Sequence, residues 1–180
     1  LLDLFFCGNS PRRSAGEGDG ARGGPPMPYH DANNGGRNLL LRNEGEWKFS
    51  NVTREVGLDE NNSRYSFAAS WEDYDNDGDL DLYVANDFGR NNLYRNDDGS
   101  FADVTLSSGV ATANFNFGMG VVPEDFDGDG DADLFVANDE TPNVLFRNDG
   151  DSAGTNVRFV DIAVEAGVAY NGDGEVESGM

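Results

Sequence analysis

Residues 73–81 read Asp73-Tyr74-Asp75-Asn76-Asp77-Gly78-Asp79-Leu80-Asp81, with a carboxylate at every odd position and a glycine at the sixth. Five carboxylates in one tight turn repel each other, so a folded loop of this kind needs a cation or open water around it. Calcium takes six to eight oxygens at about 2.3–2.6 Å, and short acidic loops supply them from alternate residues, with glycine making the sharp turn. On that pattern Asp73, Asp75, Asp77 and Asp81 give side-chain oxygens, and Asp79, at the seventh position, gives its backbone carbonyl. A single loop fits a solvated acidic turn equally well.

A second copy stands 52 residues further on, Asp125-Phe126-Asp127-Gly128-Asp129-Gly130-Asp131-Ala132-Asp133. Two loops with the same ligand spacing favour calcium at both, so Asp125, Asp127, Asp129, Asp131 and Asp133 form a second candidate site. Each ion is expected to act structurally, pinning two strands together. An EF-hand shares these nine positions but needs a carboxylate at the twelfth and a helix after it; Val84 and Val136 stand there, inside strand patterns. With Cys7 and His30 the only cysteine and histidine, a zinc centre and an internal disulfide are excluded.

The flanks of the loops repeat as well. Leu82-Tyr83-Val84-Ala85-Asn86-Asp87 recurs as Leu134-Phe135-Val136-Ala137-Asn138-Asp139. Asn92-Leu93-Tyr94-Arg95-Asn96 recurs as Asn143-Val144-Leu145-Phe146-Arg147-Asn148, with the register of its first residue open, and an earlier copy runs from Asn38 to Asn43. A third strand pattern follows in each unit, at Phe49–Val52, Phe101–Val104 and Phe159–Ile162, and a turn then ends in Gly57, Gly109 or Gly167. With Ser66–Glu72 and Gly118–Glu124 before the acidic loops, each unit offers four short strands bounded by turn residues. Leu80–Ala85 is apolar on both faces beyond its aspartate, so both faces of its sheet must be covered. Four-stranded sheets repeated at this spacing and stacked face to face are β-propeller blades.

The expected fold is therefore all-β, a partial β-propeller of about three and a half four-stranded blades carrying calcium loops. Residues 1–58 form an incomplete blade with a Gly/Pro-rich insertion at 10–36, 59–110 and 111–168 form a blade each, and 169–180 start the next. Leu2–Cys7 matches Leu80–Ala85, and Glu177–Met180 matches the approach to Gly118-Met119. The remaining blades of a longer chain are thus expected partners. Antiparallel alternation puts the insertion on the rim away from the acidic loops.

The net charge of -22 argues against nucleic acid and anionic membrane surfaces as partners, and no apolar run is long enough for membrane insertion. Catalysis has little to rest on, because the carboxylates are accounted for by calcium and a histidine-based arrangement would need His30, in the insertion. Tyr29–Asn34 is the polar cluster of that insertion, and Arg42, Arg95 and Arg147 recur once per unit as expected structural contacts with nearby acid.

With both loops, the Asn-x-Leu-Tyr-Arg-Asn strand and the Phe-x-Asp-Val-Thr strand in view, the chain resembles the FG-GAP/VCBS repeat family. It is most similar to the cartilage acidic protein/ASPIC-UnbV group. Phe117-Gly118 stands where that family has its Phe-Gly pair, and Tyr65-Ser66 replaces it one unit earlier. The resemblance implies an integrin α-like propeller with calcium between the first two strands of a blade, secreted or surface-exposed and used in adhesion. The expected function is extracellular recognition of a protein or glycan, without enzymatic activity. The alternative is a piece of a propeller-fold enzyme, carbohydrate-active or cofactor-bearing, whose catalytic residues lie elsewhere or within 10–36.

Overall fold

A computed structural model describes residues 1–10, 25–111, 117–150 and 157–176. The insertion's residues 11–24 and the proposed match at Glu177–Met180 lie outside the described residues. The fold is all-β. Strands β1 (Leu4–Phe6), β2 (Leu39–Gly45) and β3 (Lys48–Asn51) form the first antiparallel sheet. Strands β4 (Ser66–Glu72), β5 (Asp81–Asn86), β6 (Asn92–Asp97) and β7 (Ser100–Asp103) form the second in sequence order, and β8 (Gly118–Glu124), β9 (Asp133–Asn138), β10 (Val144–Asn148) and β11 (Phe159–Asp161) repeat it. A single helical turn, α1 (Ala163–Ala166), closes the third unit, and residues 169–176 hold no strand. The three sheets do not close into a ring.

Strand β5 shows why the sheets stack. Alternate residues of a strand point to opposite faces, and here all six residues are buried and the four between Asp81 and Asn86 are apolar on both faces. Leu82 and Val84 pack with Leu40, Val52, Val56 and Leu58 from the first unit. Tyr83 and Ala85 pack with Leu134, Val136, Val144 and Phe146 of the third sheet. The second sheet is therefore the filling between two others, as neighbouring propeller blades require.

The Gly-ending turns are the seams between sheets. The amide of Phe101 donates to the Val56 carbonyl at 2.7 Å, and the amide of Phe159 donates to Ser108 at 2.7 Å. The adjacent glycines, Gly57 at φ 89° and Gly109 at φ 92°, are left-handed, and a Cβ on either would stand 2.5 Å from the carbonyl oxygen of the facing Phe101 or Phe159. Gly167 has the same conformation at φ 75° with nothing against it.

Repeated side-chain contacts fix the alignment of the units. Asn38, Asn91 and Asn143 each accept, through Oδ1, the amide at the end of an earlier strand, from Gly8, Asn86 and Asn138 respectively. Asn91, rather than Asn92, is thus the counterpart of Asn143, which resolves the open register. The recurrent arginines pair with nearby acid, Arg42 with Glu55, Arg95 with Asp97 and Arg147 with Asp149. These exposed pairs contribute little to stability.

Chain direction separates two rims. β4 runs down into the first acidic loop and β5 returns, so the β5–β6 turn, the start of β4 and the end of β7 share the far rim. Residues 25–36 of the insertion dock there, as the alternation of strands requires. Ala32, fully buried, donates its amide to the Phe88 carbonyl at 2.7 Å, and the Tyr29 ring meets Phe88 at 5.3 Å. Asp31 bridges Arg64 at 2.6 Å and Arg90 at 3.0 Å. Burial pushes the Asp31 carboxyl up, but the hydrogen bonds from Arg90 and Arg64 outweigh it and hold the group below its ordinary range.

Urea unfolding of three glycine variants checks the seam. Gly167→Ala should lose about 1–2 kcal/mol, the strain of a left-handed alanine alone. Gly57→Ala and Gly109→Ala should lose clearly more, because the added carbon also meets backbone of the next sheet. Equal losses at all three positions would contradict this packing.

Because its folded pKa is depressed, Asp31 contributes stability above its unfolded pKa, about 3.9, and that contribution disappears as pH falls through the folded value. Asp31→Asn should accordingly lower the melting temperature at pH 7, with the gap to the parent protein closing toward pH 2.5.

Candidate metal centre

Each acidic loop joins the first and second strands of a four-stranded sheet, β4 to β5 and β8 to β9. The backbone of both is set the same way, with left-handed residues at the fourth and sixth positions, Asn76 (φ 59°) and Gly78 (φ 98°), then Gly128 (φ 81°) and Gly130 (φ 97°). Glycine and asparagine tolerate this conformation better than other residues. The sixth-position glycine was readable from the sequence; the fourth position needed the pairing of Asn76 with Gly128 as its signal.

The first carboxylate of each loop holds the turn from inside. Asp73 accepts the amides of Asp77 at 3.1 Å and Gly78 at 3.0 Å. Asp125 accepts those of Gly128 at 2.7 Å and Asp129 at 3.2 Å on Oδ1, and Gly130 at 3.1 Å on Oδ2. Asp75 and Asp127 each accept the amide two residues on. Asp77 and Asp129 do the same. Oxygens of Asp73, Asp75 and Asp77 lie within 4.8 Å of one another, and so do oxygens of Asp125, Asp127 and Asp133. Three converging carboxylate oxygens supply part of the oxygen donor set that a hard divalent cation takes.

The remaining aspartates have other positions. Asp79 turns its carboxylate outward to the Asp98 amide at 2.8 Å, and Asp131 turns its own to the Asn76 side-chain amide at 2.7 Å. The second contact joins the two loops. Asp81 and Asp133, both buried, each clamp two amides. Asp81 accepts Tyr74 at 3.0 Å and Asn96 at 2.7 Å, and Asp133 accepts Phe126 at 2.9 Å and Asn148 at 2.8 Å. The asparagine of the Arg-Asn pattern is thus a loop-positioning residue, a role the sequence reading did not assign. Its side chain also donates to the carbonyl just before the clamp, Leu80 at 3.0 Å for Asn96 and Ala132 at 3.3 Å for Asn148.

Burial first, and then crowding of carboxylates, sets the electrostatics of the loops. Burial, opposed by the amide hydrogen bonds and reinforced by Asp75 and Asp77, moves Asp81 from 3.8 up to about 7. Burial and neighbouring carboxylates likewise push Asp75 and Asp133 upward. A carboxyl whose folded pKa is raised holds a proton that the unfolded chain has released, so metal-free stability falls as pH rises between the two values. In chelator the melting temperature should therefore decline from pH 4.5 to 7.5. Asp81→Asn should flatten that slope whatever its effect on absolute stability.

A comparison with curated proteins finds no match. Residues 73–136, from the first aspartate of the first loop to the strand after the second, match the family model described as FG-GAP-like repeat, which supports the FG-GAP/VCBS repeat family for this propeller-like segment.

Proposed function

We propose that this chain is a calcium-stabilised, non-enzymatic recognition module that works outside the cell, binding a protein or glycan. Kinship with the cartilage acidic protein/ASPIC-UnbV group is part of the same proposal. The observation that carries it is the pair of matched loops, each converging three carboxylate oxygens at one rim between the same two strands. Asp73, Asp75 and Asp77 would hold one ion, and Asp125, Asp127 and Asp133 the other. Asp81 stands beside the first set, and Asp129 beside the second. Asp79 and Asp131 carry carboxylates engaged elsewhere, so their share of a site would be the backbone carbonyl.

A bound calcium ion supplies positive charge that relieves repulsion among these carboxylates. The chain's own residues do the rest: the clamps at Asp81 and Asp133 tie each loop to the third strand of its sheet, and Asn76 ties one loop to the other. Such a centre is structural, and extracellular modules of this kind bind calcium with a Kd of about 10⁻⁴–10⁻³ M.

Thermal melting under calcium titration tests the proposal. At a free concentration about 100-fold above Kd, each site adds about 2.7 kcal/mol, so the melting temperature should climb and the decline with pH expected in chelator should shrink. The Asp73→Ala/Asp125→Ala double variant should lose the response. A melting temperature indifferent to calcium would remove the metal assignment, and turnover of a glycan panel by the intact chain would remove the non-enzymatic one.

A further inference from the structure

The two acidic loops are tied to each other by two routes, one buried and one at the rim. The buried route runs through Asn148 of β10, which is 2% exposed. Its side chain donates to the Tyr74 carbonyl at 2.9 Å, and its backbone amide donates to Asp133 at 2.8 Å. Tyr74 stands between Asp73 and Asp75, two of the three converging carboxylates of the first loop, and Asp133 is one of the three in the second. A single asparagine therefore joins the two donor sets. The buried Tyr74 ring anchors the same point, packed against Phe159 of the third sheet at 5.7 Å.

The rim route is the bond from the Asn76 side chain to Asp131 at 2.7 Å. It stands at a cleft of about 360 Å³ whose wall includes Glu72, Asp73, Glu124 and Asp125. Asn76 occupies the fourth position of the first loop, where the second loop has Gly128, and both are left-handed. Glycine makes this turn without a side chain, so what Asn76 adds over Gly128 is the contact with the neighbouring loop.

We propose that the two loops bind calcium as a coupled pair, in which the ordering of either loop around its ion strengthens binding at the other, through Asn148 inside and Asn76 at the rim. This rests on the calcium reading above and adds the regulation of those sites. Bringing mutually repelling carboxylates into one loop is the unfavourable part of binding at each site. When Asp133 is fixed in the second loop, Asn148 is fixed with it, and the Tyr74 carbonyl between the first loop's carboxylates gains a rigid partner. Hydrogen bonds in a low dielectric are stronger and reinforce one another along a chain, so the first loop then has less left to order. Repulsion between the two ions acts the other way. It is the smaller effect, because the ten loop aspartates outnumber the charges of two divalent ions and exposed charges are screened beyond about 8 Å at physiological ionic strength.

The test is calorimetric titration of the chelator-treated chain with calcium, beside Asp125→Ala and Asp73→Ala, each of which leaves one loop able to load. The product of the parent's two binding constants should exceed the product of the two single-loop constants by at least about 5-fold, the lower end of usual coupling. Ion repulsion alone gives no such excess, since the aspartate lost from each variant already weakens the other site. Asn76→Gly, which gives the first loop the residue of the second, should still bind two ions and should reduce the excess by at least about 2-fold. Asn148→Ala should reduce it further, and if that variant fails to fold, Asn76→Gly decides alone. Two ions bound without an excess, or an excess that survives Asn76→Gly undiminished, overturns the coupling and leaves the calcium-stabilised module. A chain that takes up no calcium overturns both.

Discussion

The structure depends most on a buried aspartate at the start of the second strand of each four-stranded sheet. Asp81 and Asp133 are 1% and 2% exposed, and burying a carboxylate is unfavourable unless hydrogen bonds replace its water. Each receives two backbone amides, one from the loop before it and one from the third strand. Asp3 receives the Asn43 amide at 2.8 Å in the same relation within the first sheet. Charge-assisted bonds of this kind are stronger than neutral ones, so one side chain sets the loop's entry, the strand's start and the neighbouring strand's height. The loop carboxylates converge because their frame is held from below.

That frame divides the molecule into two unlike rims. At one, carboxylates are concentrated and linked from loop to loop by Asn76 and Asp131. Asn148 extends the linkage, donating to the Tyr74 carbonyl of the preceding unit at 2.9 Å. At the other, the described part of the insertion is pinned by Asp31 between two arginines, with aromatic contacts from Tyr29 to Phe88 and from Phe88 to Phe117. Antiparallel alternation keeps the two rims apart, so the acidic loops and the docked residues 25–36 lie at opposite ends of the same sheets.

The seams show how much local sequence can carry. A glycine closing each unit was readable as a left-handed turn, and Gly57, Gly109 and Gly167 all adopt it. Strands Ser66–Glu72 and Gly118–Glu124 stand where the alternation and the loop boundaries put them. The bulge near the start of both strands, between Ser66 and Ala68 and between Gly118 and Gly120, was not readable. It depends on the pairing with β5 and β9, not on composition. The Ser66/Gly118 difference has a consequence of the same kind. Ser66 donates its hydroxyl to Asn86 Oδ1 at 2.8 Å, whereas Gly118, where a Cβ would stand 3.0 Å from that of Ala85, leaves Asn138 Oδ1 without a partner among the described residues.

By itself the sequence determined the repeat, the succession of strands, the acidic loops and the placement of the insertion's residues 25–36 opposite those loops. All of these follow from short-range patterns of charge, alternation and turn residues that recur at one spacing. Tertiary structure decided which carboxylates converge and which turn away, how Asn96 and Asn148 hold the loops, and how Asp31 comes to pair with both Arg64 and Arg90. Those outcomes join residues such as Asp31 and Arg90, or Asn76 and Asp131, that are far apart in the chain. Their meeting is set by the stacking of whole sheets, which no local pattern encodes.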